Sequence, residues 1–349
     1  MRWRYGVAAV LLAFVIFCGY ILGGSLLSAP SDASRVSVTD IDAATTFWRE
    51  QVRLVGGAHA YQSFRTWASN GDINQQHTLA HVMGGILYNM LGKEGLSVCD
   101  SSFSFGCFHE FLGRAIHEEG LSVVYELNDA CFTNLGAQSL SCQHGIGHGV
   151  QTFFGYDDSA LREALAQCDK LPFSDPIGGC YGGVFMEYNM RTMLSLDGVG
   201  PRDNTDPEYP CSTLKDPYLP ACYYWQPQWW VATSDIPQME TYTVMGGRCM
   251  QAGTPYLEQK CFEGIGNISG QTVQYEPVRT IALCEASSLG DTEAELYCRA
   301  DAANSYFVIP SARARASEVC EGLIDSDYEY CRKFSDNTFN QVEHPSRNE

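Results

Sequence analysis

Two pairs of histidines, each four residues apart, are the residues of this chain best suited to chemistry. His144 and His148 stand in the segment SCQHGIGHGV, and His77 and His81 stand in the segment QQHTLAHVM. Residues four apart lie about one turn from each other on the same face of a helix. Neutral imidazoles held in this way are ligands for Zn, Cu or Fe, so the spacing predicts a transition-metal site.

The cysteines indicate which elements must position these histidines. Fourteen of the 15 cysteines lie beyond residue 30 and form seven close pairs, and the second members of the pairs recur every 33 to 42 residues. The pairs are Cys99–Cys107, Cys131–Cys142, Cys168–Cys180, Cys211–Cys222, Cys249–Cys261, Cys284–Cys298 and Cys320–Cys331. A period of this length is typical of stacked supersecondary units.

Each unit is expected to be an αα-hairpin. Helix-like stretches precede the first cysteine and follow the second, while Pro, Gly, Asp and Ser cluster between them and favour a turn. We therefore predict a disulfide within each unit, although the sequence alone also permits other pairings. The fold class is all-α, with seven to eight disulfide-stapled hairpins arranged as a curved solenoid or an α/α toroid.

Aligning the units on the second cysteine places the histidines in register. His109 and His144 stand two residues after that cysteine, and His148 stands six residues after it. The pair formed by His77 and His81 fills the same two positions if Gln75 replaces the cysteine of an earlier unit. Three successive second helices are then expected to turn five imidazoles toward one inner wall.

Two carboxylates fall close to this register and are candidates for catalysis. Glu110 and Glu187 lie in the same units and are predicted to act as a general base, or to add a ligand, beside the metal. Thr78 and Gly145 follow the first histidine of each pair, so the HExxH motif of zincin proteases is absent. Hydrolysis and oxidation both remain open, as do a dinuclear centre and one ion with a proton-transfer histidine.

Other residues near the histidines allow two interpretations each. The glycines of HGIGHG permit either the close approach of a ligand or tight helix packing. Trp225, Trp229 and Trp230 form either a stacking surface at a pocket or contacts between repeats.

The first 30 residues predict an export segment. Arg2 and Arg4 precede a largely apolar run that extends to about Ala29, which is long enough to span a bilayer. A basic flank on the N-terminal side places the rest of the chain outside the cytoplasm, at the periplasm or the cell surface. Residues 1–30 are therefore predicted to be a signal anchor, with cleavage after Ala33 as the alternative.

The rest of the chain divides into three parts. Residues 31–57 are expected to form a linker and a capping helix, residues 58–337 the repeat domain, and residues 338–349 a polar tail. The net charge of −19 argues against nucleic acid as a partner. The predicted partners are the membrane, through the anchor, and other membrane or secreted proteins.

Three functions are compatible with these features. The first is a metal-dependent hydrolase or oxidoreductase, in which the metal activates water or oxygen. The second is a scaffold that holds a protein or peptide on the inner wall of the repeat array. The third is a metal carrier or sensor without turnover.

Overall fold

The computed structural model describes residues 33–172, 175, 177–194 and 205–335, and the regular elements of these ranges are all helices. The α-helices are α1 (Ile41–Val55), α2 (Gly57–Ala68), α3 (Ile73–Leu91), α4 (Gly106–Glu119), α5 (Val123–Asn134), α6 (Ser139–Phe154), α7 (Asp158–Cys168), α8 (Cys180–Leu194), α9 (Leu219–Ala232), α10 (Gln238–Cys249), α11 (Pro255–Thr272), α12 (Pro277–Ser288), α13 (Thr292–Val308) and α14 (Asp325–Ser335). Short 3-10 helices cover Ala33–Arg35, Gly92–Val98, Gly136–Gln138, Cys211–Thr213 and Arg313–Cys320.

The helices form two layers. The inner layer consists of the second helices of the hairpins, and each of these helices packs against the next one. They are α3, α4, α6, α8, α9, α11, α13 and α14. The outer layer contains α2, α5, α7, α10 and α12, each packed against an inner helix of its own hairpin. Helix α1 packs against α2 and α3 and so covers the first hairpin.

The beginning of α3 is fixed by a capping box. The Asp72 side chain accepts a hydrogen bond from the backbone N–H of Gln75, and the Gln75 side chain accepts one from the backbone N–H of Asp72. These bonds satisfy N–H groups that the first turn of a helix leaves without partners. Gln75, which occupies the cysteine position of its unit, thus anchors the helix that carries His77 and His81.

The predicted disulfides are confirmed. All seven bonds lie within a unit, with sequence separations of 8 to 14 residues and Cα–Cα distances of 5.3 to 5.8 Å. Each bond joins the outer segment of a hairpin to its inner helix. On the chain-entropy model, a loop of this size contributes about 3 kcal/mol to the free energy of unfolding.

Three of the seven units differ from the predicted hairpin in their first element. A 3-10 helix, rather than an α-helix, stands before or at the first cysteine in Gly92–Val98, Cys211–Thr213 and Arg313–Cys320. The first of these segments contains two glycines within seven residues, and Pro210 directly precedes the second. Glycine and proline both disfavour propagation of an α-helix.

The two ends of the array meet. Ile73, at the start of α3, packs against the apolar cluster formed by the last repeats, which includes Tyr306, Val319 and Phe334. The inner helices surround a central cavity of about 430 Å³. The inner layer therefore has a common interior into which side chains from several repeats project.

The prediction of a membrane anchor concerns residues outside the described ranges. Residues 1–30 and the polar tail at 338–349 are not among the residues that the structure describes. Within the described ranges, the helices are all too short or too polar to cross a bilayer. The seven disulfides are typical of proteins that fold in an oxidising compartment outside the cytoplasm.

Candidate metal centre

The five histidines of the register lie together. His77, His81 and His109 each bring one ring nitrogen within 4.8 Å of the others, and so do His109, His144 and His148. The rings of His109 and His148 are the closest, with centroids 4.2 Å apart. His109 belongs to both groups, so α3, α4 and α6 contribute to one continuous cluster.

Glycines bring these helices close enough for the imidazoles to meet. A Cβ at Gly106 would lie 2.9 Å from the His77 carbonyl oxygen, and a Cβ at Gly147 would collide with the carbonyl oxygen of Cys180. A side chain at either position would force the inner helices apart. These contacts favour helix packing as the role of the glycines in HGIGHG.

The group formed by His109, His144 and His148 is buried, and only 5 to 8% of each residue is exposed. Within the described chain, the Nε2 atoms of His109 and His148 are buried without a hydrogen-bond partner. His144 makes a hydrogen bond with the backbone of Gly179. Buried polar atoms without partners are rare in folded proteins, so two of them side by side point to a bound group.

Glu187 orients one of these imidazoles. Its Oε2 atom accepts a hydrogen bond from Nδ1 of His148 at 2.9 Å, and its Oε1 atom accepts hydrogen bonds from Tyr156 and Thr152. With the proton on Nδ1, the Nε2 atom of His148 carries a free lone pair. This is the arrangement of a carboxylate–histidine–metal triad, in which the carboxylate lies behind the ligand.

The electrostatic environment keeps the imidazoles neutral. Burial, with a smaller contribution from neighbouring imidazoles, lowers the pKa of His109 and His144 well below the ordinary value. Burial and the neighbouring His81 likewise lower the pKa of His77 to about 4. The neutral ring is the form that binds metals, so at neutral pH these imidazoles are in the protonation state that metal binding would require.

His77, His81 and Glu110 form a row of side chains that runs from the histidine cluster toward the protein surface, here called the histidine branch. Nδ1 of His77 donates to the Phe103 carbonyl at 2.8 Å, so its Nε2 is an acceptor for the Nε2–H of His81 at 3.1 Å. Nδ1 of His81 lies 3.8 Å from Glu110 Oε2, and Glu110 Oε1 lies 2.7 Å from Nε of Arg114. Burial acts to raise the pKa of Glu110, but His81 and Arg114 outweigh it and the pKa falls.

The two predicted carboxylates therefore occupy different positions. Glu110 ends the histidine branch, where its side chain is 33% exposed, and Glu187 supports His148 from behind. His59 and His117, outside the register, are exposed and distant from the cluster. His344 lies beyond the described residues.

The three tryptophans of α9 divide into two environments. Trp225 lines the central cavity, and its ring centroid lies 5.5 Å from that of His144. Trp229 and Trp230 are buried, and Nε1 of Trp230 donates to the Pro207 carbonyl at 2.7 Å. The stacking interpretation therefore applies to Trp225, and the packing interpretation to the other two.

The histidine positions of the repeat face the cavity in later units as well. Residues two or six positions after the second cysteine line its wall: Met186, Tyr224, Gln228, Asn267 and Asn304. His109 and His144 line the same cavity. The register of the repeat thus determines which side chains face the interior.

Sequence reasoning missed a buried polar network opposite the histidines. Nζ of Lys260 lies 2.7 Å from Glu263 Oε2, and both side chains are buried. Tyr224 donates to Asp301 at 2.8 Å. Burial, with the nearby charge of Glu263, raises the pKa of Asp301 to about 8. Glu263 stands at the repeat position of His109, which is a signal in the sequence, but nothing there marks Asp301.

Comparison of the chain with protein-family models, curated proteins and solved structures finds no match. The functional assignment therefore depends on the geometry of the histidine cluster and the cavity beside it.

Proposed function

We propose that this chain is an extracytoplasmic metal-dependent enzyme that binds one transition-metal ion through His109, His144 and His148. The observation that carries the proposal is the pair of buried Nε2 atoms, on His109 and His148, that have no partner in the described chain. A ring nitrogen of His144 lies within 4.8 Å of both. Three convergent nitrogen donors suit Zn, Cu or Fe.

The contacts of His77 and His81 support a role other than metal binding. Their Nε2 atoms are already paired with each other, and His81 leads on to the partly exposed Glu110. We propose that this branch carries protons between the metal centre and solvent. A second ion would have to break the bond between the two imidazoles, so one ion with a proton-transfer histidine fits better than a dinuclear centre.

The chemistry follows from the ligand set. His109, His144 and His148 would hold the ion, which would supply Lewis-acid chemistry by polarising a substrate or by lowering the pKa of a water molecule. Nδ1 of His81 would accept the released proton and pass it to Glu110, while His77 would hold the His81 ring through the bond between their Nε2 atoms. Glu187 would hold His148 in the tautomer that binds the ion.

An enzyme fits the surroundings of the site better than a carrier or a protein scaffold. The three proposed ligands are buried, which disfavours rapid exchange of the ion. Two of them line a cavity of about 430 Å³, a size suited to a small molecule. Contact between the ends of the array, at Ile73, supports a closed toroid whose interior holds the substrate.

Metal stoichiometry tests the proposal. Oxidised protein reconstituted with Zn, Cu or Fe and freed of excess metal is expected to hold one ion per chain by elemental analysis. The double variant His144→Ala/His148→Ala is expected to hold none. The double variant His77→Ala/His81→Ala is expected to keep the ion and to lose turnover.

Two results would contradict this assignment. Wild-type protein that holds less than about 0.2 equivalents of each metal after reconstitution would exclude the metal centre. Two equivalents, with one lost in each double variant, would replace the proton-transfer role of the histidine branch by a second metal site. The variant His59→Ala/His117→Ala, which changes two exposed histidines, is the matched control and should keep one ion.

We also propose that residues 1–30 anchor the protein in a membrane with the repeat domain outside the cytoplasm. The basic flank of Arg2 and Arg4 and the apolar run after it support this orientation. Full-length protein is expected in the membrane fraction and accessible to external protease. A chain beginning at residue 34 behind a cleavable signal should instead be released in soluble form.

A further inference from the structure

We infer that the central cavity binds a small uncharged molecule with a flat apolar body and amide, carbonyl or hydroxyl groups at its edge. The inference deepens the proposed function, since it takes this molecule to be the substrate of the metal centre. It depends on the proposed function only for that role, because the binding itself is argued from the cavity wall.

The wall lacks the charges that an ionic ligand needs. Among the described residues that line the cavity, none is a lysine or an arginine. The carboxylate of Asp175 does reach the wall, but its Oδ1 atom accepts hydrogen bonds from the backbone N–H groups of Ile177 and Gly178. The net charge of −19 further opposes the entry of an anion.

Amide side chains take the place of charges. Four amide side chains line the cavity: Gln228 of α9, Asn267 and Gln271 of α11, and Asn304 of α13. An amide group both donates and accepts hydrogen bonds, so it pairs with neutral amides, carbonyls and hydroxyls. Four amides on three successive inner helices match a ligand whose polar groups lie along one edge.

Three polar atoms of the wall have no partner within the described chain. They are Nε1 of Trp225, Oε1 of Gln228 and Oγ of Ser305, and the Ser305 residue is only 5% exposed. The indole N–H is a donor, the amide oxygen is an acceptor, and the hydroxyl is both. All three atoms are almost completely buried, so a neutral ligand with a carbonyl and an N–H or O–H group would pair with them after small rotations of these side chains.

The remaining wall is apolar and places the ligand beside the metal centre. Met186, Ile268 and Val308 face the cavity together with the ring of Trp225. Aromatic and aliphatic side chains of this kind bind flat apolar bodies. Because the Trp225 ring lies 5.5 Å from that of His144, a molecule that contacts the indole is near the proposed ion.

Three probes of nearly equal shape test the inference: benzamide, benzoate and benzamidine, which are neutral, negative and positive at pH 7.5. Each is titrated into metal-free, oxidised wild-type protein by isothermal titration calorimetry. Benzamide is expected to bind at least tenfold more tightly than either ion. Ser305→Ala and Trp225→Phe should each weaken benzamide binding at least threefold, and Ser122→Ala, at an exposed serine, should leave it unchanged.

Equal or tighter binding of benzoate or benzamidine would overturn the inference, and so would the absence of benzamide binding. Both comparisons use the wild-type chain, so they hold even if a variant fails to fold. Because the protein is free of metal, a negative result leaves the stoichiometry test intact. Benzamide binding by a chain that takes up no metal would support the cavity and reject the enzyme.

Discussion

At the scale of single residues, the same side chain type has three environments in this protein. His109, His144 and His148 are buried with convergent nitrogens, His81 bridges to a partly exposed carboxylate, and His59 is exposed. Imidazole chemistry is identical in each case. The three environments differ in the partner of each ring nitrogen. That partner determines whether the imidazole offers a lone pair, transfers a proton or contacts only solvent.

Glu187 offers the sharpest test at this scale. Glu187→Gln keeps the size of the side chain but weakens the hydrogen bond that fixes the tautomer of His148. We expect metal affinity to fall by about 10–100-fold, as for other carboxylates behind a metal-bound histidine. Competition with a chelator measures the change, and Glu163→Gln, on an exposed part of α7, is the control. An unchanged affinity would remove the orienting role.

The lowered pKa values predict how stability depends on pH. The pKa of His77 is about 4 in the folded chain against about 6.5 unfolded, so between these values the unfolded state binds more protons. The free energy of unfolding of metal-free protein should therefore decrease as pH falls from about 6.5 to 4. The slope approaches about 1.4 kcal/mol per pH unit for each such histidine.

Urea denaturation across this pH range measures that slope. His77→Gln should show a shallower dependence than the wild type, since it removes one group that gains a proton on unfolding. An identical slope in the variant would mean that His77 does not titrate differently in the two states.

At the scale of elements, the inner helices depend on glycine for their spacing. Gly147 of α6 faces the Cys180 carbonyl at the start of α8, and His148 follows it directly. A short distance between these helices is what allows the imidazole of His148 to meet Glu187. The contact at Gly147 therefore controls both the packing of α6 on α8 and the position of His148, one of the proposed metal ligands.

Gly147→Ala should separate α6 from α8. Over-packing of this kind costs about 1–3 kcal/mol of unfolding free energy, and the displacement should also weaken metal binding. Gly247→Ala, on α10, is the matched control, because no atom of the described chain lies within 4 Å of the added Cβ. That control should be neutral or slightly stabilising. Equal stability of the two variants, measured by chemical denaturation, would contradict the close contact.

At the scale of the whole molecule, the first inner helix of the array is in contact with the last repeats. Ile73 begins the first inner helix yet packs against side chains from the last repeats. Each hairpin in a linear array contacts only its neighbours, so this contact links elements more than 200 residues apart in sequence.

Ile73→Ser should loosen this junction. We expect a loss of about 1 kcal/mol in unfolding free energy and faster hydrogen exchange in α13 and α14, which lie far away in sequence. Ile41→Ser, at an exposed position of α1, is the control. If exchange increased only in α3, the ends would not be coupled.

From the sequence by itself we could predict a hairpin repeat, cysteine pairing within each unit and the register of the histidines. Cysteine spacing and turn-forming residues are local signals, and residues four apart share a helix face whatever the rest of the chain does. This is why α3 and the seven bonds could be predicted. The 3-10 segments could not be predicted. Glycine or proline disfavours an α-helix in two of them, and Arg313–Cys320 contains neither residue.

Only the tertiary structure decided which nitrogens converge and which residues lie opposite them. Glu187 faces His148 because α8 packs on α6, and Asp301 of α13 accepts a hydrogen bond from Tyr224 of α9. Such pairs depend on the curvature of the whole array, which accumulates from small rotations between repeats. A periodic sequence specifies the packing of each repeat on the next one well. The contact between the first and last repeats depends on the sum of all the rotations between them.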